Sequence, residues 1–224
     1  KMIPPENNGS TVRHVLKVHL HFSSRAISRL TRTPTGILVN GQHARTTYVL
    51  HTGDVLTVET GDHKQVKQGI TPGNWPLPIV WEDGHLLVVN KPAGMTAHAS
   101  NLVPDTPTVA GALAWERGTD FLFHSVNRLD KGTSGLLCIA RHAHAQRLLT
   151  GQLHTGGFIR EYLAVTRGVP AQAEGTIDAP IARLGTGARR AVREDGQRAV
   201  THYRVEYVRG ERALLRLRLD GGPL

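Results

Sequence analysis

A run of helix and strand breakers constrains this chain most. From Gly61 to Pro78, the residues Gly61, Gly69, Pro72, Gly73, Pro76 and Pro78 stand among Asp, Lys and Gln, and no apolar repeat passes through them. Proline removes a backbone donor and glycine adds chain freedom, so the stretch offers neither a helix nor a strand a continuous face. It is read as a connection, 61–78, between a short N-terminal unit, 1–60, and a longer C-terminal unit, 79–224. A chain of 224 residues is long enough for each unit to bury a core.

In the first unit, Ser23 to Arg32 has the spacing of a short amphipathic helix. Arg25, Arg29 and Arg32 fall at i, i+4 and i+7 on one face, while Ala26, Ile27 and Leu30 fall on the other. Ser23 or Ser24 is suited to cap its start, and Thr33-Pro34-Thr35-Gly36 ends it. A strand, Ile37-Leu38-Val39, then runs into the hairpin signal Asn40-Gly41, and a later strand, Val55 to Val58, follows Gly53-Asp54.

The charge balance points to a class of partner. Lys and Arg number 27 against 18 Asp and Glu, a formal net charge of +9. A surplus of this size attracts polyanions, because each neutralised phosphate releases condensed counterions; the plainer reading is a surface made basic for solubility. The clustering of the arginines favours nucleic acid. A single cysteine, Cys138, forms no internal disulfide. With no transmembrane-length apolar run and no signal-like start, the expectation is a cytoplasmic protein without membrane association.

The second unit reads as strand-rich. His85 to Asn90 is a buried-strand candidate closed by Lys91-Pro92-Ala93-Gly94. A helix is expected from Thr106, with Pro107 in its first turn and Gly118 beyond its end. Gly135 to Ala140 is a second apolar strand, and His142 to about His154 a helix closed by Gly156-Gly157. Strands at Phe158–Thr166, Thr201–Val208 and Leu214–Leu219 complete an α+β unit with a mostly antiparallel mixed sheet.

Asn127-Arg128-Leu129-Asp130-Lys131-Gly132-Thr133-Ser134-Gly135 places one carboxylate between two cations, with hydroxyls and glycines immediately before a strand. Neighbouring positive charge favours the ionised acid, and Gly132 and Gly135 let backbone approach a ligand. A surface turn with a capped or salt-bridged Asp130 has the same local composition, so these residues alone leave both readings open.

The nine residues resemble the catalytic motif of the RluA-type RNA pseudouridine synthases. The rest of the unit is similar to that family in order: Glu82-Asp83, Leu86 to Gly94, His98, Arg160-Glu161-Tyr162-Leu163-Ala164-Val165, Ile177 to Ile181, and Gly196 to Thr201 with Tyr203. Residues 12–60 resemble the S4 RNA-binding domain, through Ser24-Arg25, Leu30, Val39-Asn40-Gly41 and Gly53-Asp54. The resemblance implies a small S4-like RNA-binding domain followed by a pseudouridine synthase catalytic domain. The implied reaction breaks the N1–C1′ bond of a uridine, turns the base and rejoins it through C5, with no metal or other cofactor. It also implies that Asp130 is the essential carboxylate, as nucleophile at C1′ or as base at the 2′ carbon. Arg128 would take the place of a flipped uridine and Tyr162 would pack on the uracil ring. Arg25, Arg29 and Arg32 would hold RNA, with Asn40-Gly41 serving the fold.

Other residues carry weaker signals. Arg189 and Arg190, with Arg193 and Arg198, form a basic cluster suited to phosphates. His19/His21 and His142/His144 read as solvated surface histidines rather than metal ligands, and Lys91 reads as fixing a loop. Two positions depart from the family pattern. Asn127 stands where many relatives carry His. After Leu219, relatives continue into a Gly-Arg-x-His-Gln-Ile-Arg segment whose basic residue pairs with the catalytic aspartate, whereas this sequence reads Asp220-Gly221-Gly222-Pro223-Leu224. The expectation is a catalytic domain shortened at its C-terminal end, with weak or absent activity if that is the whole chain. The function expected is isomerisation of uridine in structured RNA, ribosomal more than transfer RNA by family analogy. A non-catalytic RNA-binding or assembly protein is the alternative; a glycosidase ranks last for want of a second facing carboxylate.

Overall fold

A computed structural model describes residues 1–61, 69–98, 106–118, 120–185 and 189–220. Near the N-terminus, helix α1 (Val12–His14) continues into a wider π-type turn, Val15–His19. Helix α2 (Ser24–Leu30) follows, capped by Ser23, whose hydroxyl accepts from the Ala26 N–H at 3.1 Å. Ile27 and Leu30 are buried against Val12, Val15, Leu16, Ile37, Leu50 and Leu56. Arg25, Arg29 and Arg32 are exposed, as the helical spacing requires. Strands β1 (Ile37–Val39), β2 (Gln42–His43) and β3 (Leu56–Val58) form an antiparallel sheet in the order β2-β1-β3. Asn40 and Gly41 take φ of 52° and 80°, the two left-handed residues of a type I′ hairpin turn. The Asn40 amide then binds both Asp54 and the Val55 N–H at 2.8 Å, which locks the turn to the entry of β3.

The longer unit holds two further antiparallel sheets. Strands β4 (Ile79–Glu82), β5 (Leu86–Lys91), β6 (His124–Ser125) and β7 (Gly135–Ala140) lie in the order β4-β5-β7-β6. Helices α3 (Val109–Arg117) and α4 (Ala143–Thr155) accompany them. Strands β8 (Arg160–Arg167), β9 (Glu174–Arg183), β10 (Arg190–Val192), β11 (Gln197–Arg209) and β12 (Arg212–Leu219) form the second sheet, β10-β9-β11-β12-β8. The class is α+β with antiparallel sheets. Among the described residues no helix is long and apolar enough to cross a membrane.

Two details differ from the sequence expectation. Helix α3 starts later than Thr106: Thr108 is its cap, its hydroxyl accepting from the Gly111 N–H at 2.8 Å, and Pro107 precedes the cap. The Pro107 carbonyl accepts instead from Thr96 N–H at 3.1 Å. Second, Ile70, Trp75 and Leu77, inside the stretch read as a connection, pack on the core of Leu87, Val89, Leu113, Leu137 and Ile139. The absence of a side chain at Gly111 permits this, since a Cβ there would come within 2.7 Å of the Thr71 carbonyl and the Trp75 ring. Residues 62–68 of the expected connection lie outside the described ones.

Glu82, at the end of β4, ties this unit together. Its carboxylate takes a two-pronged bond from Arg117 of α3, at 2.7 and 2.6 Å, and a further bond from Arg141 beyond β7. The Arg117 bond, the charge of Arg117 and then that of Arg141 hold its pKa below the usual carboxylate range. Glu82 therefore stabilises the fold fully above the usual carboxylate pKa, and the stabilisation is lost as pH falls through the lowered folded value. Glu82→Gln is expected to cost about 1 kcal/mol at neutral pH and to make the acid side of a melting-temperature profile shallower.

Candidate active site

The site is built where two loops leave one strand pair. Strands β5 and β7 run antiparallel from Leu86 opposite Ala140 to Lys91 opposite Gly135. The turn after β5, Pro92 to Met95, therefore meets the loop that precedes β7, 126–134. The Gly94 N–H donates to the Lys131 carbonyl at 2.7 Å and joins the two directly.

Lys91 closes β5 with its side chain wholly buried. Its ammonium donates to the Met95 carbonyl at 2.8 Å and the Pro92 carbonyl at 3.1 Å, so it folds the turn over itself. Burial pushes its pKa down, and the negative charge of Asp130 opposes that shift. The loop-fixing role read from sequence agrees with these bonds. Sequence reasoning missed the electrostatic one, that the negative charge of Asp130 acts on the Lys91 ammonium; its signal was a lone lysine ending an apolar strand.

Asn127 fixes the other loop. It is 4% exposed, its side-chain oxygen accepts from the Cys138 N–H at 2.8 Å and its amide reaches the Leu136 carbonyl. The Ser125 hydroxyl donates to the Asn127 carbonyl at 2.6 Å. These bonds use a neutral amide as donor and acceptor, which accounts for an asparagine serving here. Beyond it the chain turns outward: Arg128 and Asp130 are exposed, and the Asp130 carbonyl accepts from the Thr133 N–H at 3.0 Å. Among the described residues neither Arg128 nor Lys131 forms an ion pair with Asp130. The flanking cations expected from the sequence are thus supplemented by Lys91 from another strand. His98 lies edge-on to Phe123, ring centres 4.6 Å apart. Desolvation and then the nearby Arg128 charge hold its pKa below the usual value.

Tyr162 stands on the second sheet, half-buried on β8 and opposite Leu217, which in turn lies opposite Tyr203. Residues opposite one another in antiparallel strands share a face, so Tyr162, Leu217 and Tyr203 form one row. No hydrogen bond joins Tyr162 to Asp130. Arg189 and Arg190 are exposed at the edge of this sheet. Arg193 and Arg198, grouped with them in sequence, are instead engaged by Asp195 and Asp178. In the N-terminal unit a cavity of about 320 Å³ lies beside α2, with Arg13, Arg32, Ser24, Ser28 and Thr31 in its wall.

The histidine expectation needs correction. His142 is 6% exposed rather than solvated; its Nδ1 accepts from the Ala145 N–H at 3.2 Å, capping α4, and its Nε2 lies 3.0 Å from His85 Nδ1. His144 is half-buried against Phe22. Both are structural because α4 starts where the two units meet. Among the described residues no group of three or more His, Cys, Asp or Glu side chains is placed to hold a metal.

The assembled loops offer one exposed carboxylate, Asp130, on a loop tied to the turn of the buried Lys91 ammonium, with the exposed Arg128 guanidinium two residues away. Such a site can deliver a negative oxygen to an electrophilic carbon or take a proton. Lys91→Met leaves two carbonyls without their donor and is expected to destabilise the unit by about 2–4 kcal/mol, measured by urea unfolding. Asn127→Ala, which orphans the Cys138 N–H, is expected to cost about 1–3 kcal/mol in the same assay.

Residues 85–223 match the family described as RNA pseudouridylate synthase. The chain is similar to an uncharacterized RNA pseudouridine synthase, YjbO, of Bacillus subtilis, 34% identical over 91% of this chain and 72% of that protein. It is also similar to ribosomal large subunit pseudouridine synthase D of Xanthomonas campestris, 36% identical over 90% of this chain but 60% of that protein's length. Among solved structures, human RNA pseudouridylate synthase domain containing 4 superposes with a TM-score of 0.53 at 25% identity, covering 65% of this chain and 60% of that one.

Proposed function

Because the chain belongs to the RNA pseudouridylate synthase family, a family of isomerases, we propose that it converts uridines of structured RNA to pseudouridine with Asp130 as the essential carboxylate. The family match spans both loops of the site. Within it, Asp130 is an exposed carboxylate on the loop that Gly94 ties to the Lys91 turn, and this placement carries the reading.

The reaction needs the uridine outside its stack, because C1′ and C5 are shielded within a helix. Arg128, exposed on the loop beside Asp130, is suited to fill the space the base leaves. The Asp130 oxygen then acts in one of two ways. It attacks C1′ as N1 departs with the bonding pair, or it takes a proton from C2′ so that loss of N1 leaves a glycal. In either route the base turns; in the first, C5 bonds to C1′ as the C1′–Asp130 oxygen bond breaks and frees the carboxylate, and in the second, C5 bonds to C1′ of the glycal as C2′ takes back its proton. The C5 proton is then lost to a base and N1 gains one, so the product is an isomer of the substrate. Tyr162, on the apolar face of the second sheet, supplies a ring to support the turned base. No step calls for a metal or other cofactor.

Ribosomal RNA is the substrate class we favour, because several similar proteins carry ribosomal large subunit names. The N-terminal unit then serves as an S4-like RNA-binding domain, with Arg25, Arg29 and Arg32 on one exposed helix face, while Arg189 and Arg190 add a second phosphate contact. Incubation with transcribed large-subunit ribosomal RNA, followed by chemical detection of pseudouridine, is expected to reveal new sites that a transfer RNA transcript lacks. RNA bound without any product would favour the non-catalytic alternative. Affinity is expected to fall about tenfold or more between 50 and 200 mM salt, measured by filter binding; a flat response would remove the electrostatic part of the proposal.

A further inference from the structure

We infer that Phe22, His144 and Arg147 form a clasp that holds the arginine-bearing helix of the N-terminal unit in a fixed position relative to the Asp130 loop, so that both units grip one RNA as a single surface. This rests on the RNA-modifying reading above but concerns residues that reading does not use.

Two contacts define the clasp. The Phe22 and His144 rings stack nearly parallel, 8° apart in plane and 3.8 Å between centres. The Arg147 guanidinium donates to the His21 carbonyl at 2.9 Å. His21 itself takes a left-handed φ of 54°, a conformation uncommon outside glycine, and it turns the chain so that its carbonyl faces α4 while Phe22 enters the N-terminal core. Burial, then the charges of His142 and Arg147, hold the His144 pKa below its usual value, so the ring is neutral and stacked at neutral pH.

Each side of the clasp leads to a functional element over a short rigid path. On one side, Phe22 directly precedes Ser23, the cap of α2, and Arg25 and Arg29 lie in the next turn. On the other, His144 and Arg147 sit in the first turns of α4, where Gln146 donates to the Ser125 carbonyl at 3.1 Å. Ser125 in turn holds Asn127, three residues before Asp130. A breaker-rich connection by itself leaves two units free to reorient. A clasp of this kind raises the effective concentration of one RNA-binding unit at the site of the other.

The test uses the whole chain and the variants His144→Ala/Arg147→Ala and His144→Phe. Fluorescence energy transfer between dyes on the two units is expected to fall in the double variant and to stay at the wild-type value in His144→Phe, which keeps the stack. With long ribosomal RNA, the double variant is expected to raise KM about tenfold with kcat unchanged, and His144→Phe to restore it. With a short stem-loop that occupies the Asp130 site alone, KM is expected to be the same in all three proteins. Unchanged energy transfer in the double variant, an equal KM rise on both RNAs, or a fall in kcat instead would each overturn the clasp. If the wild-type chain makes no pseudouridine, the function reading fails and the energy-transfer result alone still decides the clasp.

Discussion

The arrangement of the site depends on the pairing of Lys91 with Gly135 at the last rung of the β5–β7 ladder. An antiparallel ladder that ends in register brings the chain leaving one strand against the chain entering the other. Here those chains are the turn closed by the Lys91 ammonium and the loop that carries Asp130. A slip of one residue would send Lys91 to the opposite face of the sheet, since side chains alternate, and would separate cation from carboxylate. The apolar residues of both strands oppose such a slip, because Leu87, Val89, Leu137 and Ile139 are all buried in the same core.

A buried ammonium is costly unless hydrogen-bonded and faced by negative charge. Lys91 meets both conditions, with two carbonyls in its own turn and the negative charge of Asp130 acting on it. The same arrangement serves the Asp130 loop: Asp130 senses a charge that does not depend on the exposed side chains beside it, and Arg128 is left exposed. Asn127 completes the division of labour by anchoring the loop to β7 through the Cys138 N–H. What results is a hydrogen-bonded base bearing an accessible acid.

Much of this was legible before the coordinates. Strand β7 and the span of α4 followed from apolar runs bounded by glycine, and the Asn40-Gly41 turn from its dipeptide. The Asp130 motif was visible as a composition but ambiguous between a site and a surface turn, and the bond that ties its loop to the Lys91 turn, from Gly94 N–H to the Lys131 carbonyl, joins residues more than thirty apart in sequence. Helix α1 with its π-type turn was not foreseen: Val12, Val15 and Leu16 have helical spacing, but β-branched residues and histidines weaken the local signal and burial against Ile27 and Leu30 supplies what it lacks. Strands β4, β6 and β10 are short and set by pairing with neighbours. The roles of His142 and His144 were hidden for the same reason, since nothing in a His-x-His spacing shows that one will cap a helix and the other meet Phe22.

The account stands most directly on Asp130, and the isosteric substitution Asp130→Asn tests it with least disturbance to the loop. Under single-turnover conditions with saturating RNA, the account predicts that wild-type protein forms pseudouridine while Asp130→Asn binds the same RNA equally well and forms none. Product from Asp130→Asn at a rate near that of the wild type would contradict it.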